Sequence, residues 1–228
     1  IPPVATASAG ILTCAMDSLS LLGNADQASS FSWTGPNNFV SSLQNPMVNI
    51  AGNYMLTVTG ANGCTSSISV NVDQNITVPD VNVSGDTINC NQPQGQINTV
   101  SMTGIAYAWS GPGNFSSFDQ NPVVSAGGNY IVTVTGANGC TNTALALVGL
   151  DVSVPALQVS APDTLTCLLN TVNLQASITA ASALQNISWT GPANFVSSVE
   201  DPAVNTQGTY TLMVTDINGC SASIQTIV

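Results

Sequence analysis

Lysine, arginine and histidine are all missing from these 228 residues, where a chain of this size would ordinarily carry roughly 25 Lys plus Arg. Asp and Glu are the only charged side chains, and the net charge is −11. No cation is available to neutralise a phosphate or reach a base edge, which excludes nucleic acid as a partner. An anionic bilayer surface repels such a chain as well. Catalysis loses its usual actors, since there is no His or Lys to serve as base or Schiff-base amine and no Arg to clamp an oxyanion. Long apolar runs are also missing. The longest, near Ala144 to Leu150, falls far short of the roughly 20 residues of a membrane-spanning helix, so no membrane insertion is expected. The chain begins at Ile1 without a basic segment leading into an apolar one, so it reads as a processed chain or an excised window with any export signal outside it.

What is present is a repeat. Hydrophobic residues make up 44% of the chain, mostly Val, Ile, Leu and Ala interleaved with Ser, Thr, Asn and Gln, enough to bury a core. Self-alignment gives a period of 76 to 80 residues, anchored by Trp33, Trp109 and Trp189 and by Cys64, Cys140 and Cys220. Each Trp opens the string Trp-Thr/Ser-Gly-Pro-x-Asn-Phe, which is followed by Asn-Pro or Asp-Pro. Tyr54, Tyr130 and Tyr210 then lead through alternating Val, Leu and Thr to Asn-Gly-Cys. Three domains are expected, at 1–76, 77–153 and 154–228.

The six cysteines fall two per repeat. Cys14 with Cys64, Cys90 with Cys140 and Cys167 with Cys220 are separated by 50, 50 and 53 residues. Six cysteines allow 15 connectivities, but repeats that each close their own core favour these three intradomain pairs. Small disulfide-bearing domains belong to oxidising compartments, so the location is expected to be extracellular. Two Cys per repeat and no His leave zinc without a ligand set.

Within the first repeat the spacing and turn residues predict strands near Val4–Ser8, Ile11–Leu22, Ser29–Trp33, Asn38–Ser41, Met47–Ile50, Tyr54–Thr59 and Thr65–Val72. Tyr54, Leu56 and Val58 alternate with Met55, Thr57 and Thr59, the pattern of a half-buried strand, and Asn62-Gly63 supplies a tight turn. The expected fold is all-β: three tandem immunoglobulin-like sandwiches arranged as an extended rod. The second Cys lies ten residues after the Tyr, at the last hairpin, so the bond is expected near one end of its sandwich. The joints, Val70–Val83 and Leu147–Val159, are short, β-branched and marked by Pro79 and Pro155, which argues for stiffness.

This motif string resembles the tandem immunoglobulin-like or PKD-like repeats of very large Bacteroidota surface proteins, the giant gliding-motility adhesins of the SprB type among them. The resemblance covers essentially the whole chain. It implies export by the type IX system, an outer-membrane surface location, and a role in adhesion, gliding or filament formation alongside further copies of the repeat.

Remaining candidate sites are sparse. The adjacent acids Glu200 and Asp201 would point to opposite faces of an extended strand, so no two-carboxylate enzyme is expected. Calcium at the joints would draw on Asp73, Asp80 and Asp86 or on Asp151 and Asp163, yet no dense Asp-x-Asp loop exists and solubilising charge is the favoured reading, with no cofactor expected. Exposed Trp and Phe could stack on a sugar, but recurrence in all copies favours core packing by Trp33, Trp109, Trp189, Tyr54, Tyr130 and Tyr210. Ser18, Thr87 and Thr164, each after an Asp and before an aliphatic residue, are similar to the O-glycan acceptors of exported Bacteroidota proteins. Sequons at Asn75, Asn82, Asn114 and Asn186 carry little weight in so Asn/Ser/Thr-rich a chain. The leading function is a stalk or filament segment of a surface adhesin. The alternative is an extracellular module that binds a polysaccharide or a protein.

Overall fold

The computed structural model describes residues 1–160 and 163–228. The chain divides into two compact units, residues 1–82 with 100–108 and 132–144, and residues 83–99 with 109–131 and 145–228.

In the first unit the whole first repeat folds as strands β1 (Ala5–Ser8), β2 (Ile11–Thr13), β3 (Leu19–Ser20), β4 (Leu22–Ala25), β5 (Ala28–Gly35), β6 (Phe39–Ser41), β7 (Met47–Val48), β8 (Gly52–Gly60) and β9 (Thr65–Asn75). One sheet runs β2-β9-β8-β5-β6, and the pairs β1-β4 and β3-β7 supply the facing strands. The entering chain is shared between the two layers. Strand β1 lies antiparallel to β4, whereas β2 crosses over and runs parallel to β9, with Ile11 opposite Asp73 and Thr13 opposite Asn75. This is an immunoglobulin-like sandwich. The period-2 alternation of β8 sends Tyr54, Leu56 and Val58 inward, where they meet Trp33, Leu12, Leu21 and Val72 in a dry core.

One strand expectation fails. Ile11–Leu22 is not continuous: a turn at Thr13–Met16 interrupts it, closed by Thr13 N–H to Met16 O at 2.9 Å and by Met16 N–H to the Thr13 hydroxyl at 3.1 Å. Cys14 sits on that exposed turn.

In the second unit the third repeat builds a four-stranded sheet in the order Phe195–Ser197, Leu184–Gly191, Thr209–Asp216, Ser221–Ile227. Facing it, Ala156–Ser160 pairs with Gln175–Thr179 and Val172–Asn173 with Ala203–Val204, all antiparallel. Trp189, Tyr210, Leu174, Leu212 and Val214 form the core. The same unit holds part of the second repeat, in which Thr87–Asn89 runs parallel to Gly149–Asp151.

The repeated motif is a packing device. Tyr54, Tyr130 and Tyr210 each donate a hydroxyl to the carbonyl four residues earlier, Ile50 at 2.8 Å, Ala126 at 2.7 Å and Thr206 at 2.7 Å. Their rings lie over Gly35, Gly111 and Gly191, where any Cβ would collide with the ring. Phe39, Phe115 and Phe195 meet the same rings edge to face at centroid distances of 5.4, 5.2 and 5.3 Å. The Asn/Asp-Pro pair works as a brace: Asn45, Asn121 and Asp201 each accept the backbone N–H of Gly23, Thr99 and Ala176 through a side-chain oxygen. Trp33, Trp109 and Trp189 are buried, so none of them offers a face for a sugar.

Candidate functional site: the cystine junctions

The cysteines do not pair within repeats. Cys14 bonds Cys140 and Cys90 bonds Cys220, so the first Cys of one repeat is joined to the second Cys of the next. The expected pairs Cys14–Cys64, Cys90–Cys140 and Cys167–Cys220 are therefore corrected. The physical reason lies in β9. Thr13 is in register with Asn75 at the far end of this strand, while Cys64 precedes its first residue, Thr65. Eleven extended residues at ~3.3 Å each hold Cys14 and Cys64 roughly 35 Å apart, far beyond the ~7 Å limit on Cα separation in a disulfide. In the junctions the Cα atoms stand 4.9 and 5.0 Å apart.

Each junction presses the Asn-Gly-Cys turn of one repeat against the Cys-bearing turn of the repeat before it. In the first unit, Ala15 N–H donates to Asn138 O at 3.2 Å. Asn138 Nδ2 reaches back to Asn75 Oδ1 at 3.0 Å and to Thr77 O at 2.8 Å. Asn142 Nδ2 adds a bond of 2.9 Å to the carbonyl of buried Pro79. In the second unit, Asn91 N–H donates to Asn218 O at 2.9 Å, and Asn218 Nδ2 binds Asp151 Oδ2 at 2.6 Å and Ser182 Oγ at 2.8 Å. The glycines between Asn and Cys are required twice over. Gly139 and Gly219 hold φ of 77°, and a Cβ on either would strike Ala15 or Asn91 of the neighbouring turn. Cys140 and Cys220 are each only 1% exposed.

Of the aspartates near the joints, Asp73, Asp80, Asp86 and Asp151 accept hydrogen bonds. Asp80 caps the Ser101–Gly104 turn, taking Met102 N–H at 3.1 Å, Thr103 N–H at 3.2 Å and the Thr103 hydroxyl at 2.9 Å. These donors, Met102 first, hold its carboxyl below the usual carboxylate range. Asp86 accepts Gln96 N–H at 3.0 Å, Asp151 belongs to the second junction, and Asp73 takes the Asn71 amide. Asp163 is exposed. Among the described residues no three His, Cys, Asp or Glu side chains gather as a metal would need.

The candidate glycan acceptors differ in setting. Thr87 lies on a strand against Gly149, and Ser18 bonds Asp17 Oδ1 at 3.1 Å. Thr164 is exposed outside any strand. Two cysteines, Cys64 and Cys167, are unpaired and exposed. Sequence reasoning found all six cysteines but not their partners, because the signal was the turn at Thr13–Met16, hidden in an apolar run.

No protein-family model matches the chain, and no curated protein matches it. Among solved structures, a Ca²⁺-stabilized adhesin that helps an Antarctic bacterium reach out and bind ice aligns over 99% of this chain and 72% of its own, at 13% identity and a TM-score of 0.60. That likeness shows the fold. Extracellular domains 3–5 of Drosophila OTK align over 97% of this chain and 93% of their own at 11% identity, with a TM-score of 0.35, too low to carry an argument.

Proposed function

We propose that this chain is a load-bearing stalk segment of a large extracellular surface adhesin, each repeat an immunoglobulin-like unit bolted to the next. The observation that carries this reading is the placement of the disulfides. A domain that needs a cystine for its own stability bonds across its own core, whereas here both bonds join consecutive repeats. Such bonds resist separation of neighbours under tension. Buried Pro79 and Pro155 at the joints, and side-chain amides donating across them, limit swivelling in the same sense. The Antarctic adhesin supports the reading through its fold, and the motif resemblance supports an origin among exported Bacteroidota surface proteins that serve adhesion or gliding. The Trp-Gly-Pro motif is used up by packing, and the sequence holds no His, Lys or Arg to serve as base or oxyanion clamp, which favours a structural role over an enzyme or a dedicated sugar-binding module.

Pulling on single molecules from their two ends tests the load path. With Cys14–Cys140 and Cys90–Cys220 closed, the shortest covalent path runs to residue 14, from 140 back to 90 and on from 220, so only roughly 70 residues can be drawn out, about 250 Å at ~3.5 Å per residue, against about 800 Å after reduction. Cys64→Ser should leave the oxidised length unchanged, because Cys64 takes no part in either junction. With intradomain bonds it would free the loop from Cys14 and lengthen the oxidised chain to about 430 Å by the same measure, and that result would remove the basis for the stalk.

A further inference from the structure

Cys64 and Cys167 are the two exposed halves of the junction that the molecule closes twice elsewhere, and we infer that they receive further copies of this repeat, the Cys167 turn of one unit bonding the Cys64 turn of the unit after it. The inference rests on the junction reading above.

The matching is residue by residue. On the Cys64 side, the Gly60–Cys64 turn has the same bonds as its two counterparts. Gly60 N–H donates to Cys64 O at 2.8 Å, as Gly136 does to Cys140 at 2.9 Å and Asp216 to Cys220 at 3.0 Å. Gly63 keeps φ at 76°, beside 77° at Gly139 and Gly219. A Cβ on Gly139 or Gly219 would meet the neighbouring turn, while in front of Gly63 there is open space. Asn62 Nδ2 already donates to Ile1 O at 3.0 Å, as Asn138 Nδ2 does to Thr77 O at 2.8 Å. The turn is built and one of its two contact surfaces is in place.

On the Cys167 side, Thr166 N–H bonds Leu169 O at 2.9 Å and Leu169 N–H bonds the Thr166 hydroxyl at 3.0 Å. The same turn carries Cys14, between Thr13 and Met16, and Cys90, between Asn89 and Gln92. The residue after the cysteine is the one that donates across a closed junction, Ala15 to Asn138 O and Asn91 to Asn218 O. Its counterpart here is Leu168, a leucine left fully exposed at the tip of the turn. A Leu168 N–H from one unit and an Asn62 carbonyl from the next thus complete the missing bond, and the thiols beside them come into range.

Bond formation is an oxidation. Cys64 and Cys167 thiols give up two protons and two electrons to a small disulfide such as oxidised glutathione, forming one cystine and releasing two reduced glutathione molecules.

The test uses the full chain in a glutathione redox buffer. Cys64→Ser keeps only the Cys167 end, and Cys167→Ser keeps only the Cys64 end; both positions are exposed, so folding is unaffected. Peptide mapping first establishes Cys14–Cys140 and Cys90–Cys220 in each variant, which separates a failure of the junction reading from a failure of this inference. The mixture should then form disulfide-linked dimers at least tenfold faster than either variant alone, with Cys64–Cys167 as the link, and the unaltered chain should grow into a ladder. Homodimers forming as fast as the mixed pair, or no mixed pair at all, would overturn the inference.

Discussion

At residue scale, the three copies of the Trp motif serve as internal controls on one another. Trp33 and Trp189 donate their ring N–H to Gln44 O at 3.1 Å and Glu200 O at 3.0 Å. Trp109 Nε1 is buried with no partner, and so is the Thr99 hydroxyl. Thr99 stands where the other repeats have Gly23 and Ala176, as the shared brace from Asn45, Asn121 and Asp201 shows. That position has little room, since a Cβ on Gly23 would stand 2.8 Å from Gln44 O and 2.9 Å from the Trp33 ring. A threonine there brings in a hydroxyl with no acceptor, in the one repeat whose Trp N–H has none either. Thr99→Ala, which restores the third repeat's arrangement, should stabilise the protein by about 1 kcal/mol in denaturant unfolding. A loss of stability would show that the hydroxyl is satisfied in solution.

At the scale of elements, the joint turn at Ser101–Gly104 is held by one carboxylate. Asp80 is depressed by its N–H and hydroxyl donors, so its contribution is fully present above the unfolded carboxylate range, near pH 3.9, and is lost as pH falls through the lower folded value. Asp80→Asn keeps an acceptor oxygen but not the charge. It should be less stable than the unaltered chain at neutral pH, and the two thermal midpoints should converge as pH falls through the lowered folded value. A difference that persists unchanged into acid would mean that the charge plays no part. Strand alternation was legible from the sequence because Tyr54, Leu56 and Val58 face a core while Met55, Thr57 and Thr59 do not. The break at Thr13–Met16 was not, because Ile11 and Leu12 run into a turn whose closing bonds come from Thr13, a residue equally at home in a strand.

At the scale of the whole molecule, that small misreading changed the covalent map. Equal spacings of 50, 50 and 53 residues suit bonds within repeats, yet they equally suit bonds between them, because a periodic sequence repeats the same spacing to the next copy. Periodicity identifies which residues are equivalent but not which copy a residue contacts. If the junctions act as proposed, three sandwiches of about 35 Å should stand end to end, and small-angle scattering should give a maximum dimension of order 100 Å. A compact particle with its repeats side by side would turn the reading from stalk toward a composite binding surface. Closing loops of 126 and 130 residues, the two cystines would each contribute about 5 kcal/mol in the loop-entropy account.

Everything at this scale depends on the pairing itself. Proteolysis of the non-reduced chain with an enzyme that needs no Lys or Arg, followed by mass spectrometry, reads it directly. Cystine peptides joining Cys14 to Cys140 and Cys90 to Cys220 are the predicted result. Recovery of Cys14 joined to Cys64 and Cys90 joined to Cys140 would contradict the account, the junctions and the stalk together.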